Sequence, residues 1–253
     1  MSTVISHFYN EEYLLPFWLE HHTKIFRSGV LIDYHSTDRS VEIINNIAPD
    51  WKVIKSRNIN FEAHNVDLEV VDIEKNIEGW KICLNTTEFL LPNKKIEDIL
   101  DSEYNAYRIP QYLVCDYYKQ EISNTKSFID NLNFGSLEHG YGYRFFHQMK
   151  DSYRYEVGRH QLYSEKIMEK YSFDMFIAHC RFYPWNEKQI ERKLAIQKMI
   201  PESDRLMGRG WQHQVDRKKL LDMEFEKSHF CYFINREHFN KCYNYSIGLH
   251  NEY

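Results

Sequence analysis

The stretch Gly79-Trp80-Lys81-Ile82-Cys83-Leu84-Asn85-Thr86-Thr87-Glu88-Phe89 decides how this chain folds. Trp80 to Leu84 is a short, mainly apolar run introduced by a glycine, which is the pattern of a buried strand. It delivers four polar residues, Asn85 to Glu88, to its C-terminal edge. In an open α/β sheet that edge is where ligands bind.

The preceding residues repeat a strand-helix alternation. Val4 and Ile5 open a strand that gives way at Asn10, a candidate N-cap, to a helix carrying Tyr13, Leu14, Leu15, Trp18 and Leu19 as far as Phe26. Pro16 suits that helix only within its first turn, because deeper in it would remove a backbone hydrogen bond. Gly29 ends the helix, Val30-Leu31-Ile32 forms the next strand, and Asp33 marks its edge. Ser36 or Thr37 then caps a helix that includes Asp38, Val41, Ile43 and Ile44 and is limited by Pro49. Trp51 to Ile54 is a third strand, and residues 62–78 form a helix closed by Gly79. This order implies a parallel sheet covered on both faces, with Asp33, Ser36, Asp38 and residues 85–88 converging at one edge.

Beyond Pro92 the pattern changes to a short helix at 96–100, a strand at 106–109 and a polar, irregular stretch through Asn133. Gly135, Gly140, Gly142 and Gly158 punctuate Tyr- and Phe-rich loops and short strands around the same cleft. Asn186 and Gln189 make a capping pair for a helix over 187–199 that Pro201 stops. Residues 205–213 turn back toward the cleft, and a charged helix over 216–227 leads to a strand or extended tail. The length of 253 residues fits one α/β domain with two closely packed halves, 1–100 and 101–253, and no Gly/Ser- or Pro-rich linker.

A chain with 43% hydrophobic and 27% charged residues is not disordered, and a net charge of -5 offers no general footprint for nucleic acid. Five cysteines without metal-ligand spacing predict reduced, mostly buried thiols. No run approaches the roughly 20 apolar residues of a transmembrane helix, and the first residues have neither the basic nor the apolar part of a secretion signal. A soluble cytoplasmic protein is expected.

Three segments, ISHFYNEEYLLPFWLEHH at 5–22, LIDYHSTDRS at 31–40 and GWKICLNTTEF at 79–89, together resemble family 2-like GT-A glycosyltransferases. The likeness weakens through Gly158-Arg159-His160, Trp185, Arg192-Lys193 and Trp211-Gln212-His213. It implies an α/β GT-A fold, with a Rossmann-like, mostly parallel central sheet flanked by helices and a mixed acceptor-side region. It also implies a nucleotide-sugar donor across residues 1–100 and a glycan or glycoconjugate acceptor against 101–253 and its C-terminal helices. Asp33 would lie near the base or ribose, with Ser36 and Asp38 at the turn behind it.

The resemblance places Asn85 and Thr87 where the family carries the two aspartates of its Asp-x-Asp motif, and Glu88-Phe89 matches the usual continuation. Neutral Asn and Thr are poorer ligands for hard cations. Glu88 alone then either retains Mg²⁺ or Mn²⁺ through water and substrate phosphates, or protein cations carry the leaving-group charge. Arg159, His160, Arg192, Lys193, Arg205, Arg209 and His213 are the candidates for the second role. Arg192 and Lys193 are adjacent on a helix, so at least one is expected to face solvent. Glu138, Asp174, Asp204 and His213 are candidate bases for the acceptor hydroxyl. Neutralising Glu88 is expected to impair chemistry more than folding. His21-His22 lacks a His-Glu-x-x-His arrangement and reads as packing. The alternative function is a noncatalytic nucleotide-sugar- or carbohydrate-binding protein.

Overall fold

Apolar residues at successive strand positions decide which helix covers which face of the sheet. The computed structural model describes residues 2–138 and 142–251; Gly140 and the side chain of Gln212 lie outside the described residues. β1 (Ser2–Phe8), β2 (Ser28–Asp33), β3 (Lys52–Lys55) and β4 (Trp80–Cys83) are parallel, in the order β3-β2-β1-β4. Val4, Leu31 and Ile82 share a core with Leu15, Trp18 and Leu19 of α1 (Leu15–His22) and Ile44 of α2 (Ser40–Ile47). Their neighbours Ile5, Ile32 and Cys83 point the other way, onto Val66 and Val70 of α3 (Ala63–Glu74). This two-residue period is why short apolar strands suffice here, each fully buried aliphatic side chain being worth about 1.5–3 kcal/mol.

Several boundaries differ from the sequence reading for local reasons. Leu14, not Asn10, is the N-cap of α1, which leaves Pro16 harmlessly in the first turn. Gly29 lies inside β2 rather than ending a helix, because Trp51 packs over it; a Cβ there would sit 2.2 Å from Trp51 Cε3. α2 starts at Ser40, whose amide donates to Asp38 Oδ1 at 3.0 Å, so Asp38 rather than Ser36 or Thr37 serves its first turn. Gly79, with φ 78°, turns the chain into β4.

Beyond β4 the sheet becomes mixed. β5 (Glu88–Pro92), β6 (Ala106–Cys115), β7 (Phe134–Leu137) and β8 (Tyr143–His147) are followed by the short β9 (Arg154–Tyr155), β10 (Leu162–Tyr163) and β11 (Glu169–Tyr171), then by β12 (Met175–Phe182). β8 joins the halves, pairing antiparallel with both β4 and β6. β6 also pairs antiparallel with β7 and parallel with β11 and β12, while β12 runs antiparallel to β5.

α4 (Thr125–Asp130) occupies the stretch read as irregular, with Asn124 and Ser127 forming a capping box. α5 (Glu187–Ala195) opens with Asn186 accepting from the Gln189 amide at 3.1 Å, and its expected last turn is a tighter 3₁₀ turn, Ile196–Met199. α6 (Glu202–Leu206) and α7 (Arg217–His229, capped by Asp216) follow. The expected tail holds β13 (Tyr232–Phe233), paired with β7, and α8 (Glu237–Gly248), which buries Phe239 and Cys242. Among the described residues no helix is long and apolar enough to cross a membrane.

Candidate functional site

After β3 the chain crosses to the opposite side of β1 to form β4, and a cleft of about 850 Å³ opens where the two strands end. His7 and Phe8 of β1 and the following Tyr9 line it, together with Asn85, Thr86 and Thr87 in the turn after β4 and Glu88, which opens β5. Register supplies the floor. Glu88 of β5 pairs with His179 of β12, His179 with Leu113 of β6, and Leu113 with Ser136 of β7; all four line the cleft. Phe61 stands edge-on to His7 and Tyr9, making an aromatic wall at the β1 end.

Glu88 is fully buried and has no free oxygen. Oε1 and Oε2 accept from Arg144 Nη2 at 2.6 Å and Nε at 2.9 Å, and the same two atoms accept from Asn85 Nδ2 and the Asn85 amide. Burial alone would raise its pKa, but Arg144, His179 and the Asn85 amide outweigh it and hold the carboxyl at about 2. Asn85 Oδ1 in turn accepts from Arg159 Nη2 at 3.1 Å. Arg159 adopts a left-handed φ of 62°, and Asp67 of α3 clamps that turn, bonding the Gly158 amide and Arg159 Nη1.

Guanidinium groups therefore already occupy the oxygens that a divalent cation would need, and Asn85 and Thr87 bring no charge. Among the described residues no group of three or more His, Cys, Asp or Glu side chains is arranged to hold a metal ion. This donor set does not fit Mg²⁺ or Mn²⁺.

The opposite wall is cationic. Arg192 and Lys193 both line the cleft and both are largely buried, contrary to the expectation that one would face solvent. Arg192 is neutralised by two 2.5 Å hydrogen bonds to Glu11 and reaches Thr86 Oγ1 at 3.3 Å. Lys193 is only 6% exposed, and its ammonium lies 5.2 Å from the Phe182 ring centre. Burial, then Arg181 and Arg192, push its pKa well below the usual lysine range, with Glu11 a weaker opposing influence. Arg181, on β12, has a buried Nη2 that bonds to no described residue. Neither Arg181 nor Lys193 has a salt bridge among the described residues.

His213 completes this group. Burial, then Lys193, Arg181 and Arg192, hold it at about 3, so its imidazole is neutral near pH 7 and can donate a hydrogen bond without being a strong base. Beside these cations, His179 Nδ1 lies 2.9 Å from Glu138 Oε2, with both side chains partly exposed to the cleft. Burial raises the Glu138 pKa, but His179 and Arg181 prevail and leave the carboxyl ionised at neutral pH.

The other expected residues divide by position. Asp204 lines the cleft but is 1% exposed, with Oδ2 accepting from the Ala63 amide at 2.7 Å, so it fastens α6 to the start of α3. Arg209 lines the rim, 3.5 Å from Asp204 and 3.7 Å from Glu62. Asp33, Ser36 and Asp38 do not join the cleft-lining residues. Asp33 accepts from the Ser36 amide, Ser36 Oγ from the Asn10 amide, and Asp38 from the amides of Glu12 and Ser40; together they tie the turns after β1 and β2. His21 and His22 are fully buried and hydrogen-bonded to Leu90 O and Trp18 O.

Sequence reading missed Arg144, Asp67, His179 and Arg181. In Met175–Phe182 the polar His179 and Arg181 are two residues apart in an otherwise apolar run, so a two-residue period there was the available signal.

No model of a known protein family matches the sequence, and no curated protein matches it. Among solved structures, the chain is similar to S. aureus TarS 1-349 in complex with UDP-GlcNAc, at 16% identity over 49% of this chain and 37% of that one, with a TM-score of 0.36. The same TarS fragment with UDP gives 18% identity, 49% and 38% coverage, and 0.37. A putative glucose-1-phosphate thymidylyltransferase from Bacillus anthracis in complex with a sucrose gives 6% identity, 58% and 71% coverage, and 0.34. The chain spans less than two fifths of the length of those two TarS structures. At these scores the likeness is weak, and the function of the cleft rests on its own residues.

Proposed function

We propose that this protein transfers a sugar from a nucleoside diphosphate sugar to a hydroxyl of a glycan or glycoconjugate, and that protein cations take the role a divalent metal would otherwise fill. The observation that carries this reading is the pair of basic side chains, Arg181 and Lys193, that have no carboxylate partner among the described residues, in a cleft at the switch point of the sheet. An unpaired buried charge is costly, which is why the Lys193 pKa is pushed down, and a diphosphate would favour its charged form again while offering Arg181 several oxygen acceptors. His213 adds a neutral donor beside them.

In this reading residues 1–100 seat the nucleotide, with the base against His7, Tyr9 and Phe61, while residues 101–253 seat the acceptor and lend their cations to the diphosphate. The acceptor oxygen attacks the anomeric carbon, the bond from that carbon to the diphosphate oxygen breaks, and the electron pair leaves on the diphosphate beside Arg181 and Lys193. Glu138 receives the hydroxyl proton, oriented by the His179 ring. Asn85 and Glu88 serve by fixing Arg159 and Arg144 rather than by touching the reacting atoms.

The test is a panel of nucleotide sugars offered with varied glycan acceptors in the presence of a strong chelator, with products detected by mass spectrometry. Product from at least one donor under chelation is expected. A donor that raises the melting temperature without yielding product would leave a binding protein in place of a transferase, and absence of binding by every donor would overturn both.

A further inference from the structure

Cys115 ends β6 and is buried; Cys231 follows α7 and is half-buried. Although 116 residues separate them in the chain, their Sγ atoms lie 2.7 Å apart, against about 2.05 Å in a disulfide bond. A shift of well under an ångström would join them. Cys83, Cys180 and Cys242 are buried, and burial pushes all three thiols up, away from reactivity. Cys231 behaves oppositely. The Cys115 thiol draws its pKa down, burial opposes this, and Ser136 and Lys227 add to the lowering. Its partial exposure also gives a small reagent access.

The pair sits beside the cleft. Leu113, two residues before Cys115, and Ser136 line the floor, and so does Lys227, whose carbonyl accepts from Cys231 Sγ at 3.2 Å. α7 itself is lightly anchored, since Leu220 and Glu224 are the buried positions along its 13 residues. A bond at its C-terminal end would therefore change its freedom substantially.

We infer that Cys115 and Cys231 form a reversible thiol–disulfide couple that pins the end of α7 to β6 at the edge of the cleft. The co-reactant is a small-molecule disulfide, RSSR. The Cys231 thiolate attacks one of its sulfurs, breaking the S–S bond, forming a mixed disulfide and releasing RS⁻. Cys115 gives up its proton, and its sulfur attacks Cys231 Sγ and expels the second RS⁻. Both leaving groups are protonated, so two protein thiols are oxidised and one RSSR is reduced to two RSH. The couple is independent of any sugar transfer.

The full-length chain would be incubated under native conditions with oxidised glutathione, alkylated and mapped by mass spectrometry. The expected result is loss of two of the five free thiols, a Cys115–Cys231 linkage reversed by dithiothreitol, and slower amide exchange across residues 217–229. In Cys115→Ser, Cys231 should retain its glutathione adduct because nothing resolves it, whereas Cys231→Ser should leave Cys115 unmodified. Five free thiols, a persistent glutathione adduct in the unsubstituted protein or linkage of other cysteines would overturn the couple. A correct linkage with unchanged exchange over 217–229 would overturn the pinning.

Discussion

Glu88 is 0% exposed and its partner Arg144 3%, so neutralising the carboxylate would strand a guanidinium in the interior. Breaking a buried pair in this way typically costs about 3–5 kcal/mol, which reverses the expectation that Glu88→Gln would harm chemistry more than folding. Chemical denaturation should register a loss of that size; a change below about 1 kcal/mol would mean that the pair contributes little. The pH dependence has a definite sign. The Glu88 pKa falls from an ordinary 4.5 to about 2 in the folded protein, so its stabilisation is complete above 4.5 and disappears as pH falls toward 2. Melting temperature should therefore drop more steeply between pH 5 and pH 2 in the unsubstituted protein than in Glu88→Gln, and parallel curves would contradict the pairing. Nothing near Glu88 in the chain announces this role, because Arg144 lies 56 residues away and is brought to it only by the pairing of β8 with β4 and β6.

At the scale of elements, α5 organises the cationic wall. Adjacent helical residues diverge by about 100°, yet both Arg192 and Lys193 reach the cleft, because the inward face of the helix carries Gln189, Ile190 and Lys193 and Arg192 reaches in from its edge, one side chain meeting Glu11 and Thr86 and the other lying over Phe182. Asn186 sets the start of that helix. Its Oδ1 caps the Gln189 amide, and its Nδ2 donates to Tyr13 Oη at 2.6 Å. Asn186→Ala should cost about 1 kcal/mol in urea melts and weaken nucleoside diphosphate binding as Arg192 and Lys193 lose their setting; unaltered binding would detach the cap from the site. This cap was legible in the sequence because it is a local pattern, as were the strand-helix alternation through β4 and the strand-end position of Asn85 to Glu88. α8 was missed although its signal was present, Phe239, Cys242, Tyr243 and Ile247 recurring at helical spacing among polar residues. β8 and β12 were also missed: β8 mixes aromatic residues with the buried Arg144, and β12 follows loops that carry no clear breaker, so their register had to come from pairing with β6. The turn residues Asp33, Ser36 and Asp38 were legible as polar strand-end groups, but which backbone amides they serve depends on how the loops after β1 and β2 meet.

Across the molecule, a net charge of -5 conceals a cleft rich in basic side chains, in which Arg181 and Lys193 have no salt bridge among the described residues while Arg144, Arg159 and Arg192 are each matched by a carboxylate. The matched arginines fix the shape of the site, and in the proposed function the unmatched basic groups would give it affinity for an anion. Overall acidity keeps such a protein from binding polyanions at large, and a cleft with low-dielectric walls strengthens attraction for an anion small enough to enter. The most direct measurement is calorimetric titration of nucleoside diphosphates into the unsubstituted protein and into Lys193→Met, each in strong chelator and again with Mn²⁺. The cationic cleft predicts binding that survives chelation and weakens about tenfold or more in Lys193→Met, the scale of one lost charge-assisted hydrogen bond. Binding that requires Mn²⁺, or equal affinity in the two proteins under chelation, would contradict it.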